Sequence, residues 1–202
     1  GRTSREDAAK AISNIQLVES ISELAPCQIV IEAVVENLEV KNLVFREIEA
    51  SVSADTIIAS NTSSLSVTTI AAACERPERI AGMHFFNPVP LMKLVEVIDG
   101  VCTAPHVVDV LMDLGKRMTR TPVHVRDAPG FLVNQVGRGY NIECAHIASD
   151  GVASYAKIDR ICREAVGFRM GPFELMDLTG VDVTHPATNL IYEQFYHEPR
   201  FR

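Results

Sequence analysis

Residues 28–60, QIVIEAVVENLEVKNLVFREIEASVSADTIIAS, carry the decision about the fold. The first eight, QIVIEAVV, are β-branched and apolar almost without alternation, as expected of a strand covered on both faces. Val40, Val44, Ile48 and Val52 then recur every four residues and mark the buried stripe of a helix over about residues 37–52. TIIAS (56–60) reads as a second strand, residues 65–73 as a short helix, and RIAGMHFF (79–86) as a third strand. Strand, helix, strand, helix, strand at this spacing predicts right-handed βαβ units and a parallel sheet.

Upstream, Ser4-x-x-Asp7 supplies a helix cap, and Ala11, Ile12, Ile15 and Leu17 follow as a short helix before a bend. Downstream, the Asn87-Pro88-Val89-Pro90 turn leads into KLVEVI (93–98), a strand with Leu94, Glu96 and Ile98 on one face. Pro105 suits the first turn of a helix carrying Val108, Leu111 and Leu114, and TPVHV (121–125) reads as a further strand. At Arg126-Asp127-Ala128-Pro129-Gly130 the character changes, because almost nothing strand-like follows this turn cluster. The domain boundary is placed there, dividing the chain into 1–126 and 127–202. Helices are predicted at about 130–148, 154–166, 172–179 and 182–195, separated by Asp150-Gly151, by Gly167 and Gly171-Pro172, and by Gly180. The class is therefore α/β: a mostly parallel sheet with its helices, followed by an all-helical domain.

Composition narrows the function. The 202 residues are 47% apolar and 22% charged, enough for one large domain or two small ones with a real core. Lys+Arg 19 against Asp+Glu 26 gives a net charge of -7, and no basic run occurs, which argues against nucleic acid or an anionic membrane as the main partner. No stretch approaches the ~20 apolar residues of a membrane span, and GRTSREDAAK has neither the charge order nor the apolar run of a signal peptide. A soluble, intracellular protein is expected. Cys27, Cys74, Cys102, Cys144 and Cys162 are odd in number and widely spaced, so they read as reduced core residues, and no zinc-site spacing occurs.

In an open parallel sheet, ligands bind beyond the carboxyl ends of the strands. The loops there hold Glu36 with Asn37, then Ser60-Asn61-Thr62-Ser63-Ser64, then His84 with Asn87. One edge thus gathers a carboxylate, a hydroxyl cluster and an imidazole, the side chain best suited to move a proton near neutral pH. Glu96 lies on an apolar strand face, where a carboxylate is costly unless it meets a cation. If its strand runs beside the third one, a Glu96–His84 pair would stabilise the imidazolium and fix the ring tautomer; at a sheet edge, Glu96 would face water instead. Ser63 or Ser64 is expected to cap the next helix, leaving the other hydroxyl for a substrate oxygen. Asn87 before Pro88 reads equally well as a turn residue. His106, Asp109 and Asp113 share a helix face that imitates a metal site but reads as solvated surface, and His124, His146, His185 and His197 have no nameable partner. A Ser63-His84-Glu96 hydrolase triad is conceivable, though neither serine sits in a GxSxG elbow.

With these residues in view, the chain resembles the NAD-dependent L-3-hydroxyacyl-CoA dehydrogenases. The matching stretches are IVIEAVVENLEVKNLVF (29–45), ASNTSSLSVTTIA (59–71), RIAGMHFFNPVPLMKLVEVI (79–98), DAPGFLVNQV (127–136) and GFRMGPFELMDLTG (167–180). Of these, HFFNPVPLMKLVEVI is specific to this family rather than to nucleotide-binding folds at large. The resemblance implies a Rossmann-like NAD-binding domain, here partial, ahead of a helical substrate and dimerisation domain. It implies oxidation of the 3-hydroxyl of an acyl-CoA to a ketone with hydride moving to NAD, in fatty-acid β-oxidation or related acyl-CoA metabolism. By resemblance, His84 is the base and Glu96 its partner, Ser63 and Asn134 hold the substrate around the reacting oxygen, and Glu36, Lys41, Ser63 and Asn87 contact the cofactor. A homodimer through the helical domain, in the cytoplasm or in a mitochondrial matrix, follows from the same resemblance.

The sequence departs from the family pattern at both ends. The strand, Gly-rich turn and helix N-terminus that hold the NAD pyrophosphate have no counterpart, since no GxGxxG occurs, and two such βα units would amount to roughly 60 residues. The chain also stops at Arg202, before the family's closing helices and glycine-rich end. QIVIEAVV would then be a long apolar open edge, so the expectation is a fragment of a longer protein or a sheet completed by another chain, binding NAD poorly as it stands. The competing reading is a non-catalytic acyl-CoA-binding or dimerisation module without the cofactor half.

Overall fold

The computed structural model describes residues 4–199. Its sheet has the order β1-β2-β3-β4-β5, formed by Ile29–Glu32, Ile57–Ser60, Ile80–Phe85, Leu94–Asp99 and Thr121–Arg126. The pairs β1·β2, β2·β3 and β4·β5 are parallel, while β4 returns antiparallel to β3. Helices α1 (Arg5–Ser13), α2 (Leu38–Ser51), α3 (Val67–Ala71) and α4 (Pro105–Arg117) accompany the sheet. Then α5 (Val133–Ser149), α6 (Tyr155–Ile161), α7 (Pro172–Thr179) and α8 (Val181–Gln194) follow without a strand. The helix expected over 154–166 is divided, because Cys162–Val166 forms a π-helical turn ending on Gly167 in the left-handed region at φ 88°.

The inner strands β2, β3 and β4 are covered on both faces, which is why their sequences barely alternate, whereas β1, with Ile31 37% exposed, is not. On one face Ile57, Ala59, Ala81, Met83, Val95 and Val97 pack with Val107, Val108 and Leu111 of α4. On the other, Val30, Ile58 and Ile80 pack with Phe45 and Ile48 of α2 and with Ile70 and Ala71 of α3. The helical part has its own small core around Cys144, Ile158 and Cys162.

Three expectations need correction. The first strand is four residues long rather than eight, so the apolar edge is short. It ends at Glu32, whose Oε1 accepts from the Val34 amide and from Lys41 Nζ at 2.8 Å, and whose Oε2 accepts from Ser60 Oγ at 2.8 Å. The carboxylate draws the chain out of the sheet and towards α2, which Asn37 caps by accepting from the Val40 amide. Second, the buried stripe of α2 runs through Lys41, Phe45 and Ile48, one step from the stripe headed by Val40. Lys41 is 1% exposed because its ammonium reaches Glu32 while its stem fills apolar space. Third, neither Ser63 nor Ser64 caps α3. Ser66 does, accepting from the Thr69 amide, with Asp127 behind it taking the Ser66 hydroxyl and the Val67 and Thr68 amides.

A buried ion pair stripped of one partner leaves a charge without compensation. Lys41→Met is therefore expected to lower unfolding free energy by about 3–5 kcal/mol, with Glu32→Gln/Lys41→Met recovering part of the loss. Urea denaturation of the single and double variants measures this; additive losses would separate the two side chains.

Candidate active site

The antiparallel register of β3 and β4 sets His84 directly opposite Glu96. His84 Nδ1 and Glu96 Oε2 are 2.8 Å apart, and Glu96 is fully buried because β4 lies between β3 and β5 rather than at an edge. The other oxygen, Oε1, accepts from the Leu132 amide at 3.0 Å and the Val133 amide at 2.9 Å, at the start of α5. The buried charge thus has an imidazole on one oxygen and a helix N-terminus on the other, an arrangement that compensates it without a metal. With Nδ1–H donated to the carboxylate, Nε2 is the ring's proton acceptor. Phe86 and Phe131 flank the ring, their centroids 4.4 and 5.8 Å away. They shield it from water on these sides.

The loop after β2 is organised by Glu36. Its Oε1 accepts from the Ser63 and Ser64 amides at 2.9 and 3.0 Å and from the Thr62 and Ser64 hydroxyls at 2.7 and 2.9 Å. Burial pushes the Glu36 carboxyl up, but the hydrogen bonds from Thr62, Ser64 and Ser63 and the charge of Lys41 outweigh it, holding the group below its ordinary value. Lys41 Nζ lies 3.4 Å from Glu36 Oε2, so this ammonium approaches a ligand only through Glu36. Asn61 joins the loop to the histidine strand, its Oδ1 accepting from the Phe85 amide at 2.8 Å.

Ser63, His84, Asn87 and Asn134 line one cavity of about 620 Å³ between the sheet and the helical part. Asn134 crosses from α5 and donates from Nδ2 to the Ser63 carbonyl at 3.3 Å. The His84–Glu96 half of the conceivable hydrolase triad is present, but the Ser63 hydroxyl points to Glu36 at 3.3 Å and, among the described residues, makes no hydrogen bond to His84. His124 meets Asp99 at 3.1 Å, and among the described residues no group of three or more His, Cys, Asp and Glu is placed to hold a metal, His106, Asp109 and Asp113 included. Ser63 and Asn87 bring a hydroxyl and an amide to the cavity lining, groups able to pair with the hydroxyls and amide of a nicotinamide–ribose, while Glu36 stands behind Ser63 and holds its loop. Sequence reasoning missed Glu32, whose signal was a single carboxylate inside an apolar run, and Arg138, which borders the same cavity.

Residues 1–128 match the family model described as 3-hydroxyacyl-CoA dehydrogenase, NAD binding domain, and residues 130–202 match the C-terminal domain of the same family. The chain is 41% identical to 3-hydroxyadipyl-CoA dehydrogenase of Escherichia coli K12 over 201 residues, which is 100% of this chain and 42% of that protein. It is 40% identical to 3-hydroxybutyryl-CoA dehydrogenase of Clostridioides difficile, covering 96% of this chain and 69% of the relative. For the mitochondrial hydroxyacyl-coenzyme A dehydrogenase of Sus scrofa, 40% identity covers 98% of this chain and 63% of the relative. A crystal structure of 3-hydroxybutyryl-CoA dehydrogenase from Escherichia coli K12 superposes with a TM-score of 0.97 at 41% identity, over 100% of this chain and 43% of the other. The chain therefore spans about half the length of the relatives it matches. Its Rossmann-like sheet, its helical second half and these matches place it in the 3-hydroxyacyl-CoA dehydrogenase family.

Proposed function

We propose that the protein is an NAD-dependent oxidoreductase that converts (S)-3-hydroxyacyl-CoA to 3-oxoacyl-CoA, in fatty-acid β-oxidation or related acyl-CoA metabolism. The observation that carries this reading is the buried His84–Glu96 pair opening onto the cavity shared with Ser63 and Asn134. Alcohol oxidation needs a base for the hydroxyl proton while hydride leaves the same carbon. His84 Nε2 takes that proton, and Glu96 stabilises the imidazolium that results. Ser63 and Asn134 hold the reacting oxygen towards the imidazole. NAD, when bound, accepts the hydride. Glu36 with Lys41 behind it, Ser63 and Asn87 would hold its nicotinamide end.

The reading extends to organisation. Residues 1–126 form the cofactor-binding domain and 127–202 the substrate and dimerisation domain, with a second copy packing on the helical half. Its medium is the cytoplasm, or the mitochondrial matrix in a eukaryote, with neither nucleic acid nor membrane as partner. The net charge of -7 and the absence, among the described residues, of a helix long and apolar enough to cross a membrane support this.

Glu96→Gln is expected to lower kcat by about 10²-fold or more while changing KM for the acyl-CoA far less, because the imidazolium it stabilises forms only as reaction proceeds. Steady-state kinetics of (S)-3-hydroxybutyryl-CoA oxidation with NAD check this, and unchanged turnover would remove Glu96 from the mechanism. The pH dependence of stability tests Glu36. Its folded value lies below the unfolded one, so its contribution is complete above the ordinary carboxylate value of about 4.3 and fades as pH falls through the lower folded value. Glu36→Gln is expected to flatten the acid limb of the stability curve in that window, measured by thermal unfolding at stepped pH.

A further inference from the structure

Among the described residues, the cavity holding His84, Ser63 and Asn134 is lined by one permanently charged side chain, Arg138, and by no Asp, Glu or Lys. Arg138 stands four residues after Asn134 on α5, so the two share a helix face about 6 Å apart along the axis. The residue is 8% exposed. Its Nη1 donates to the Thr184 carbonyl at 3.2 Å and to the Thr188 hydroxyl at 2.8 Å, both neutral. Its Nε is buried with no hydrogen-bond partner, and among the described residues no carboxylate forms an ion pair with it. Burial without a counter-charge also lowers its pKa. Beside it, a Cβ built on Gly137 would meet nothing within 4 Å, so the cavity has open space there.

A guanidinium held dry without an anion is costly, and one that borders a substrate cavity gains its counter-charge when an anionic group enters. We infer that Arg138 receives the far-end carboxylate of a short dicarboxylic acyl chain, making the 3-hydroxy dicarboxylic acyl-CoAs a preferred substrate class. The inference rests on the proposed dehydrogenase reading, which places the carbinol carbon between His84 and Asn134. From that carbon the terminal carboxyl of a six-carbon chain is three bonds away, a reach comparable with one helical turn. The phosphates of CoA lie in the opposite direction, beyond the thioester and the whole pantetheine arm. A methyl-ended chain would leave the guanidinium desolvated and unpaired, and such a mismatch discriminates far more sharply than an apolar pocket does.

Calorimetric titration of the full-length protein with adipyl-CoA and hexanoyl-CoA tests this, since the two are equally long and neither carries the reacting hydroxyl. Adipyl-CoA is expected to bind about ten- to a hundredfold more tightly, and Arg138→Gln to bring the two towards parity, with Arg138→Lys retaining part of the preference. Equal affinities in the unsubstituted protein would overturn the assignment, and that comparison stands even if the variants fail to fold. Equal weakening of both ligands in Arg138→Gln would also overturn it, making Arg138 a tether to α8; parallel weakening of free CoA would assign it to the phosphates. A preference for adipyl-CoA without turnover of any 3-hydroxyacyl-CoA would leave the carboxylate site standing and remove the dehydrogenase reading instead.

Discussion

The structure turns on the carboxylate of Glu96. One oxygen accepts from His84 on the neighbouring strand and the other from the first amides of α5, so a single buried charge joins the sheet, the imidazole and the helical part. Neither contact would suffice alone. A carboxylate with no solvent exposure needs most of its lone pairs occupied, and the imidazole engages only one oxygen. The helix N-terminus occupies the other, with its dipole oriented to favour negative charge. Fixing α5 on Glu96 also fixes Asn134, one residue past the second of those amides, over the Ser63 carbonyl. His84 and Asn134 are therefore positioned by the same group.

Carboxylates repeat this role where the chain leaves β1, β2 and β5. Glu32 ends β1 by binding Lys41 and Ser60, and Glu36 holds the serine loop after β2 by its amides and hydroxyls. Asp127 ends β5 and sits on the amides of α3. Backbone amides without partners collect at loops and helix starts, and an anionic acceptor satisfies several of them at once. At the exits of β1 and β2 the acidic balance of the chain thus has a local use, with Lys41 as a buried counter-charge, while Asp127 serves the opposite edge of the sheet, since β5 runs antiparallel to β1–β3.

Much of the βαβ order was legible because each element carries signals that act locally: an apolar run, a four-residue apolar period, a Pro at a helix start. The Glu96–His84 contact was legible as one of two readings, since a carboxylate on an apolar strand face is costly unless it meets a cation or sits at an edge facing water, and the place of β4 between β3 and β5 decides between them. What escaped depended on distant residues. The end of β1 is set by Ser60, 28 positions away, and Lys41, and the latter also shifts the buried stripe of α2 from Val40. Ser66 was not read as the cap of α3, and the Asp127 that takes its hydroxyl lies 61 positions further on. Arg138 reads as an ordinary charge on a helix; only α8, whose Thr184 and Thr188 lie 46 and 50 positions later, makes it a buried one.

The junction between the two halves is held more firmly than a turn of Asp, Ala, Pro and Gly suggests. Gly130 and Phe131 both lie in the left-handed region, at φ 73° and 49°, and for Phe131 that backbone costs roughly 1–2 kcal/mol. Burying its ring against Val67 and Ile98 is worth about as much or more, so the conformation persists because the core of the sheet requires it. With Asp127 anchored to α3 on one side of Phe131 and Leu132 and Val133 anchored to Glu96 on the other, the segment is fixed at three points within seven residues. Relative motion of the halves at this hinge would break all three and separate Glu96 from its amides. The other positive-φ glycines of the helical half, Gly151, Gly167 and Gly180, come later in the chain than these anchors.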